Sequence, residues 1–296
     1  MQSLNQIKTI FFSQLNNLYP ESEIGNFFYM TIEHVLGYTK IDCITKENEV
    51  INEIKIRDIE NIILRLQKHE PIQYILGEAH FFGLKFKVNQ HVLIPRQETE
   101  ELVQLILNST LIKNRRGVVQ ILDMGTGSAC IPIALKKNVP QSTVFALDVS
   151  KKALDVAAQN AKLNKTEIKF IEADILNEND WNLLPDVDVI VSNPPYIPEK
   201  EKNEMDKNVV DFEPHLALFI PNENPLLFYE SIAKLARLKL LVGGELYFEV
   251  HENYAQDVVK LLNKNLFENI KVIKDINGKD RIITALIDQN LTIDLI

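Results

Sequence analysis

The chain has 296 residues, 46% hydrophobic and 25% charged, ordinary proportions for a globular protein long enough to form two domains. Its formal charge of −9 argues against a protein whose main task is gripping a nucleic-acid backbone, which draws on clustered Lys and Arg, and favours a protein or small-molecule substrate. Cys43 and Cys130 are too few for a disulfide framework, and six scattered histidines lack ligand spacing, so no metal is expected. The first twenty residues carry only Lys8 before an interrupted apolar stretch, which is not the pattern of a secretory signal. No window approaches the roughly 18 to 20 apolar residues of a membrane span, and a cytoplasmic protein with no membrane partner is expected.

Three amphipathic stretches open the chain. Leu4, Ile7, Ile10, Phe11, Leu15 and Leu18 fall near helical spacing, and Pro20 ends the run. Ile24, Phe27, Phe28, Ile32 and Leu36 repeat the pattern up to Gly37. Ile54, Ile59, Ile62, Ile63 and Leu66 give a third helix before Pro71. Residues 1–73 therefore read as a small helical bundle without a catalytic cluster, a recognition or packing module. Residues 74–95 hold aromatics, Gly77, Gly83 and an alternating end, the pattern of a β-hairpin linking two domains. Pro95 and the acidic Glu98, Glu100 and Glu101 then open a helix through Leu107, acidic residues suiting the positive helix end.

From residue 117 strands and helices alternate. Strands are expected at 118–123, 143–148, 168–171, 187–191 and 245–250, with helices at 131–137, 151–163, 228–241 and 254–263, and extended segments at 270–274 and 281–287. This predicts an α/β fold: a Rossmann-like, mostly parallel sheet covered on both faces, in a domain spanning 96–296.

The segment Asp123-Met124-Gly125-Thr126-Gly127-Ser128-Ala129 lies between the first of these strands and the next helix. Its glycines allow a tight turn and close approach of a ligand to the backbone. A full dinucleotide fingerprint would carry glycine where Cys130 stands. Asp148, about twenty residues on at the end of the second strand, can accept both hydroxyls of a ribose. Asp174 ends the third strand beside the same crevice, where it could accept from an adenine amino group or cap a helix. Trp181, the single tryptophan, falls in the fourth crossover, where its ring could cover adenine. These features fit NAD and S-adenosylmethionine almost equally.

The fourth strand separates the two. It ends in Asn193-Pro194-Pro195-Tyr196, in which neither proline can donate to a ladder and each fixes φ near about −65°. The Asn193 side-chain oxygen and the Pro194 carbonyl are two acceptors for the two N–H groups of an amide or exocyclic amine. Tyr196 offers a flat surface for a planar acceptor. A dehydrogenase would need a proton-handling group there, and no well-placed histidine is present. Methyl transfer to nitrogen is the expected chemistry. It needs no general base, because the proton becomes acidic once the nitrogen is alkylated.

With these residues in view, the chain resembles the N5-glutamine methyltransferases that modify peptide chain release factors, the HemK/PrmC family. The resemblance covers nearly the whole chain. Its most specific parts are Pro71 to Gly77, Phe82 to Val88, Val92 to Glu100, Asp123 to Ser128 and Val191 to Ile197. Glu213-Pro214, Ala217-Leu218 and Gly243-Gly244 add to it. The resemblance implies S-adenosylmethionine as donor, and as acceptor the glutamine of the Gly-Gly-Gln motif in class 1 release factors. It also implies that the helical domain and hairpin help recognise that partner. Residue by residue, it assigns Gly125, Thr126, Gly127, Ser128, Ala129, Asp148, Trp181 and Asn193 to the cofactor, and Asn193, Pro194, Pro195 and Tyr196 to the glutamine amide. Gln97 stands where the family usually has proline, Ala129 where glycine is common, and Glu249-Val250-His251 where Glu-Ile-Gly is usual.

Two other enzymes use similar residues. One methylates a ribosomal-protein glutamine, but Pro71 to Gly77 and Glu98-Thr99-Glu100 look more like the release-factor branch. The other is a nucleic-acid adenine N6-methyltransferase, which normally needs a basic surface or a target-reading domain. A catalytically dead scaffold would fit the departures, but Asn193 and Asp148 are intact. The expectation is a monomeric enzyme acting on a protein, with no direct nucleic-acid substrate.

Overall fold

Two compact units make up the computed structural model, which describes residues 2–114 and 117–287. One unit holds the described residues up to Gly77 together with Asp206–Phe212, and the other holds Glu78–Met205 and the described residues from Glu213 onward.

In the first unit, side-chain caps set the helix starts. Ser3 and Gln6 form a reciprocal capping box ahead of α1 (Leu4–Leu15). α2 (Glu21–Leu36) ends at Gly37, whose φ of 72° is the left-handed stop that glycine adopts without strain. A second capping box, Thr39 with Asp42, opens the short α3 (Lys40–Thr45). Asn52 caps α4 (Glu53–Leu66), and α5 (Ile72–Leu76) closes the run. Phe11, Phe28, Ile32, Ile63 and Leu66 are buried where the apolar stripes meet. The Tyr19 hydroxyl locks the α1–α2 turn to the end of α4 by donating to the Leu66 carbonyl at 2.7 Å.

The hairpin belongs to the second unit. β1 (Glu78–Phe81) and β2 (Leu84–Lys87) turn through Phe82 and Gly83, both at positive φ, as a two-residue hairpin of the strand-matching twist requires. α6 (Gln97–Asn108) follows, and its Glu100 accepts from the Phe82 N–H at 2.7 Å.

A seven-stranded sheet forms the body of this unit. Its strands are β3 (Gln120–Met124), β4 (Thr143–Asp148), β5 (Lys169–Glu172), β6 (Val187–Ser192), β7 (Leu240–Glu249), β8 (Phe267–Lys274) and β9 (Asp280–Ile287), in the order β8-β9-β7-β6-β3-β4-β5. The five strands from β7 to β5 run parallel, and β9 and β8 close one side antiparallel. Alternating side chains serve two cores. Leu122, Met124 and Ile190 face α10 (Leu227–Lys239) and α11 (Ala255–Lys264), while Ile121, Val189 and Val191 face α6, α7 (Cys130–Asn138) and α8 (Lys151–Leu163). This is the mostly parallel sheet, covered on both faces, that the strand–helix alternation predicts.

The seventh strand differs from its expected extent. It begins at Leu240 rather than Glu245, because the Gly243-Gly244 pair sits inside the strand as a break in register against β6, not as a turn before it. A helix outside the sequence expectations, α9 (Lys207–Phe212), belongs to the first unit.

Candidate active site

Reversal of strand order between β6-β3 and β3-β4 opens a crevice at the carboxyl edge of the sheet. β3 runs into Gly125 and Gly127, at φ 75° and 52°, and no atom lies within 4 Å of where a Cβ on either would stand. The turn is thus open to a ligand on its backbone side. The Gly125 and Thr126 N–H groups both donate to the Leu147 carbonyl, which folds the turn over the end of β4. Ala129 ends the turn at φ 62° and is fully buried, so the position where glycine is common carries a left-handed alanine.

Asp148 stands at the end of β4. One carboxylate oxygen accepts from the Gly127 N–H and the other from the Ser150 N–H, each at 2.9 Å. Each oxygen keeps a lone pair, enough to accept two hydroxyls of a sugar. Burial raises the pKa of Asp148, and the N–H groups of Ser150, Gly127 and Val149 oppose the rise. Below it lies Asp123, 1% exposed, with neither side-chain oxygen in hydrogen-bonding geometry to a partner among the described residues. Burial pushes its pKa up to about 7, with Thr126 opposing and the Asp148 charge adding. A buried carboxyl with a raised pKa beside a cleft is a candidate functional group.

Across the crevice, the Ser192 hydroxyl donates to the Met124 carbonyl at 2.7 Å and ties the end of β6 to the start of the glycine turn. Asn193 Nδ2 donates to Thr99 Oγ1 at 3.3 Å, and Thr99 Oγ1 donates to Glu249 Oε2 at 2.7 Å. The Tyr196 hydroxyl donates to Glu249 Oε1 at 3.2 Å. Glu249 is fully buried at the end of β7. Burial raises its pKa, while Thr99, the Arg281 charge and Tyr196 favour the ionised form and Glu98 does not. A second buried carboxylate, Glu213, accepts from the Ile94 N–H at 3.1 Å and pairs with Arg96.

These elements enclose a cleft of about 210 Å³. Gly125, Thr126, Gly127, Ser128, Asp148, Asn193, Pro194 and Pro195 all line it, as do Asp174 and Ile175. Asp174 does not cap a helix; one of its oxygens accepts from the Leu176 N–H at 2.9 Å.

Three expected site residues are placed elsewhere. Trp181 is not among the residues lining the cleft. Its indole is buried in the core, and its N–H donates to the Ile175 carbonyl at 2.9 Å, so the ring supports a lining residue from behind. Ala129 lies beneath the turn rather than on the lining. Tyr196 packs against the core with its hydroxyl on Glu249 and is not among the residues lining the cleft. Burial pushes its phenol well above the usual range, with the Glu249 charge adding.

Sequence reading named Asp123, Glu213 and Glu249 only within motifs and gave them no role, and it did not single out Asn160. Asn160 is fully buried on α8; its amide accepts from Lys87 N–H and donates to the Lys87 and Ser128 carbonyls, joining the hairpin to the glycine turn. For Asp123, Glu249 and Asn160 the available signal was a polar residue at a core-facing strand or helix position, whereas Glu213 lies in a loop.

Comparison with known proteins is consistent along the chain. The Methyltransferase small domain family matches residues 102–211, and the PrmC N-terminal domain family matches residues 13–77. The release factor glutamine methyltransferase of Flavobacterium psychrophilum is 45% identical over 280 residues, covering 95% of this chain and 98% of that protein. That of Bacteroides thetaiotaomicron is 44% identical over 282 residues, covering 95% and 99%. A methyltransferase structure from Pyrococcus furiosus, 18% identical, superposes with a TM-score of 0.51 over 77% of this chain and 98% of its own, which supports the fold alone.

Proposed function

The chain belongs to the release factor glutamine methyltransferase family, and from that premise we propose that it methylates the side-chain amide nitrogen of the glutamine in the Gly-Gly-Gln motif of class 1 peptide chain release factors. One observation carries the reading: Asp148 with the open glycine turn, and Asn193 with Pro194, line the same small cleft. One half suits a nucleoside and the other suits a planar NH2 group.

S-adenosylmethionine fits the first half. The space at Gly125 and Gly127 and the spare lone pairs of Asp148 suit an adenosyl ribose, with Thr126 and Ser128 beside it and Ile175 braced by Trp181. When bound, this cofactor supplies an electrophilic methyl group. The protein's own work is positioning. Asn193 Oδ1 and the Pro194 carbonyl accept the two amide N–H groups and fix rotation about the C–N bond. They also favour the positive charge that develops on nitrogen, a preorganised electrostatic contribution. Pro195 stiffens the wall, and Tyr196, anchored on Glu249, holds the end of the loop. Alignment of nitrogen with the methyl group gives a further entropic gain. The proton then leaves an acidic, alkylated nitrogen, so no side chain is assigned as base.

In this reading residues 1–73 and the hairpin of 74–95 recognise the release factor, and the enzyme works as a cytoplasmic monomer without a nucleic-acid substrate. Incubation with methyl-labelled S-adenosylmethionine and a class 1 release factor tests it. Label is expected on the wild-type factor and not on a variant lacking the Gly-Gly-Gln glutamine, and Asn193→Ala is expected to lower turnover about 10²- to 10³-fold. Label that persists on the glutamine-less factor sinks the proposal.

A further inference from the structure

We propose that Thr99 and Glu249 form a positioning relay that fixes which way round the Asn193 amide stands, and so makes the cleft select an acceptor that carries N–H donors. The inference deepens the proposed function, resting on its reading of Asn193 as an acceptor toward substrate.

Proton counting carries the argument. Thr99 is 2% exposed, and its hydroxyl has a single proton. That proton goes to Glu249 Oε2 at 2.7 Å, a short bond. Thr99 Oγ1 therefore turns lone pairs toward Asn193, and only the NH2 side of that amide can satisfy them, as it does at 3.3 Å. With the amide reversed, Asn193 Oδ1 would face the Thr99 oxygen with no proton between them. The Arg281 charge and the two hydroxyls that donate to it, from Thr99 and Tyr196, favour Glu249 as a carboxylate, and a carboxylate cannot supply one. The relay thus leaves Asn193 Oδ1 for the cleft.

The carboxylate is itself held in place. Its other oxygen receives the Tyr196 hydroxyl at 3.2 Å, and its main-chain carbonyl receives the Tyr229 hydroxyl at 3.1 Å. One buried acid thereby orients both polar side chains of the Asn193–Tyr196 loop, although β7 and α6 lie far from that loop in sequence. A reversed Asn193 would present two N–H donors and suit a carbonyl or carboxylate instead. Thr99 and Glu249 are positioning residues, since they act through Asn193.

Thr99→Val keeps the shape and removes the relay; Thr99→Ser keeps the relay. With a class 1 release factor as substrate, Thr99→Val is expected to lower kcat about 10- to 100-fold with KM and cofactor Kd within about threefold of wild type, and Thr99→Ser to restore kcat to within about threefold. A Thr99→Val enzyme with wild-type kcat overturns the relay. A second measurement needs neither substrate nor variant. In protein labelled with 15N at asparagine, the Asn193 side-chain NH2 is expected to exchange with solvent at least about tenfold more slowly than free asparagine, because its donor is engaged on a buried hydroxyl. Exchange at the free rate overturns the relay even if Thr99→Val does not fold. Should the wild-type enzyme fail to label the release factor, the proposed function fails, and the exchange rate still decides the relay.

Discussion

Asp148 accepts from the Gly127 N–H at 2.9 Å, so the carboxylate that ends β4 also holds the turn that follows β3. The carboxylate and the loop it holds are one unit. Asp148→Asn leaves one oxygen to serve two N–H groups, Gly127 and Ser150. The expected results are loss of about 1 to 2 kcal/mol of stability in urea unfolding and at least tenfold weaker cofactor binding by titration calorimetry. Unchanged affinity would show that this carboxylate does not meet the ligand.

Arg96 and Glu213 should respond unequally to mutation. The Glu213 side chain is 1% exposed and that of Arg96 is 34% exposed. Removing the arginine leaves a buried, uncompensated charge, whereas removing the acid leaves a cation that can reach water. Arg96→Ala is expected to cost about 3 kcal/mol and Glu213→Gln about 1, with the double variant recovering part of the larger loss. A double-mutant cycle by chemical denaturation measures this, and equal single costs would contradict it.

Asp123 predicts a pH dependence of stability in the cofactor-free protein. Its folded pKa, about 7, lies above the ordinary value of 3.8, so between those values the native state binds more protons than the unfolded chain. Stability from this group is therefore fully present in acid, falls as pH rises through that window, and is level above about 7. The slope reaches at most about 1.4 kcal/mol per pH unit. Asp123→Asn removes it. Urea midpoints of the two proteins should diverge from pH 5 to about 7 in favour of the variant, then run parallel; divergence toward acid would refute the assignment.

Gly244 is irreplaceable for a packing reason. A Cβ there would meet the Leu241 carbonyl oxygen at 2.7 Å and the Asp188 carbonyl oxygen at 3.1 Å, both main-chain atoms that cannot swing away. Gly244→Ala is expected to cost about 1 to 3 kcal/mol, read as a lowered midpoint in thermal or urea unfolding. A neutral substitution would mean that the β6–β7 register can shift.

Local chemistry made much of this molecule legible from its sequence. Thr143–Asp148 and Lys151–Leu163 coincide with the observed strand and helix, because apolar periodicity and end signals both lie within the segment. The cleft residues Gly125, Thr126, Gly127, Ser128, Asp148 and Asn193 were legible because turn geometry and strand ends mark them. Glu249 was not, since its meaning comes from Thr99, 150 residues earlier, and no spacing rule links a helix start to a distant strand end. The sequence shows Trp181 as an aromatic in a crossover but not its partner: the structure places its indole against the core, with its N–H on the Ile175 carbonyl.

The place of β7 in the sheet bears on how the enzyme could be dissected. The segment shared with the Methyltransferase small domain family, residues 102–211, includes the glycine turn, Asp148 and the Asn193 loop, and looks like a minimal catalytic piece. Yet β6, whose residues Val187–Ser192 are all buried, pairs on one side with β7, which lies beyond that segment. A fragment cut there would expose a long apolar strand edge, the template on which chains aggregate. It would also leave behind Thr99, Glu213 and Glu249, the three side chains that brace its loops. Expression of that fragment should give insoluble protein, whereas a cut that retains residues through Ile287 keeps the sheet closed.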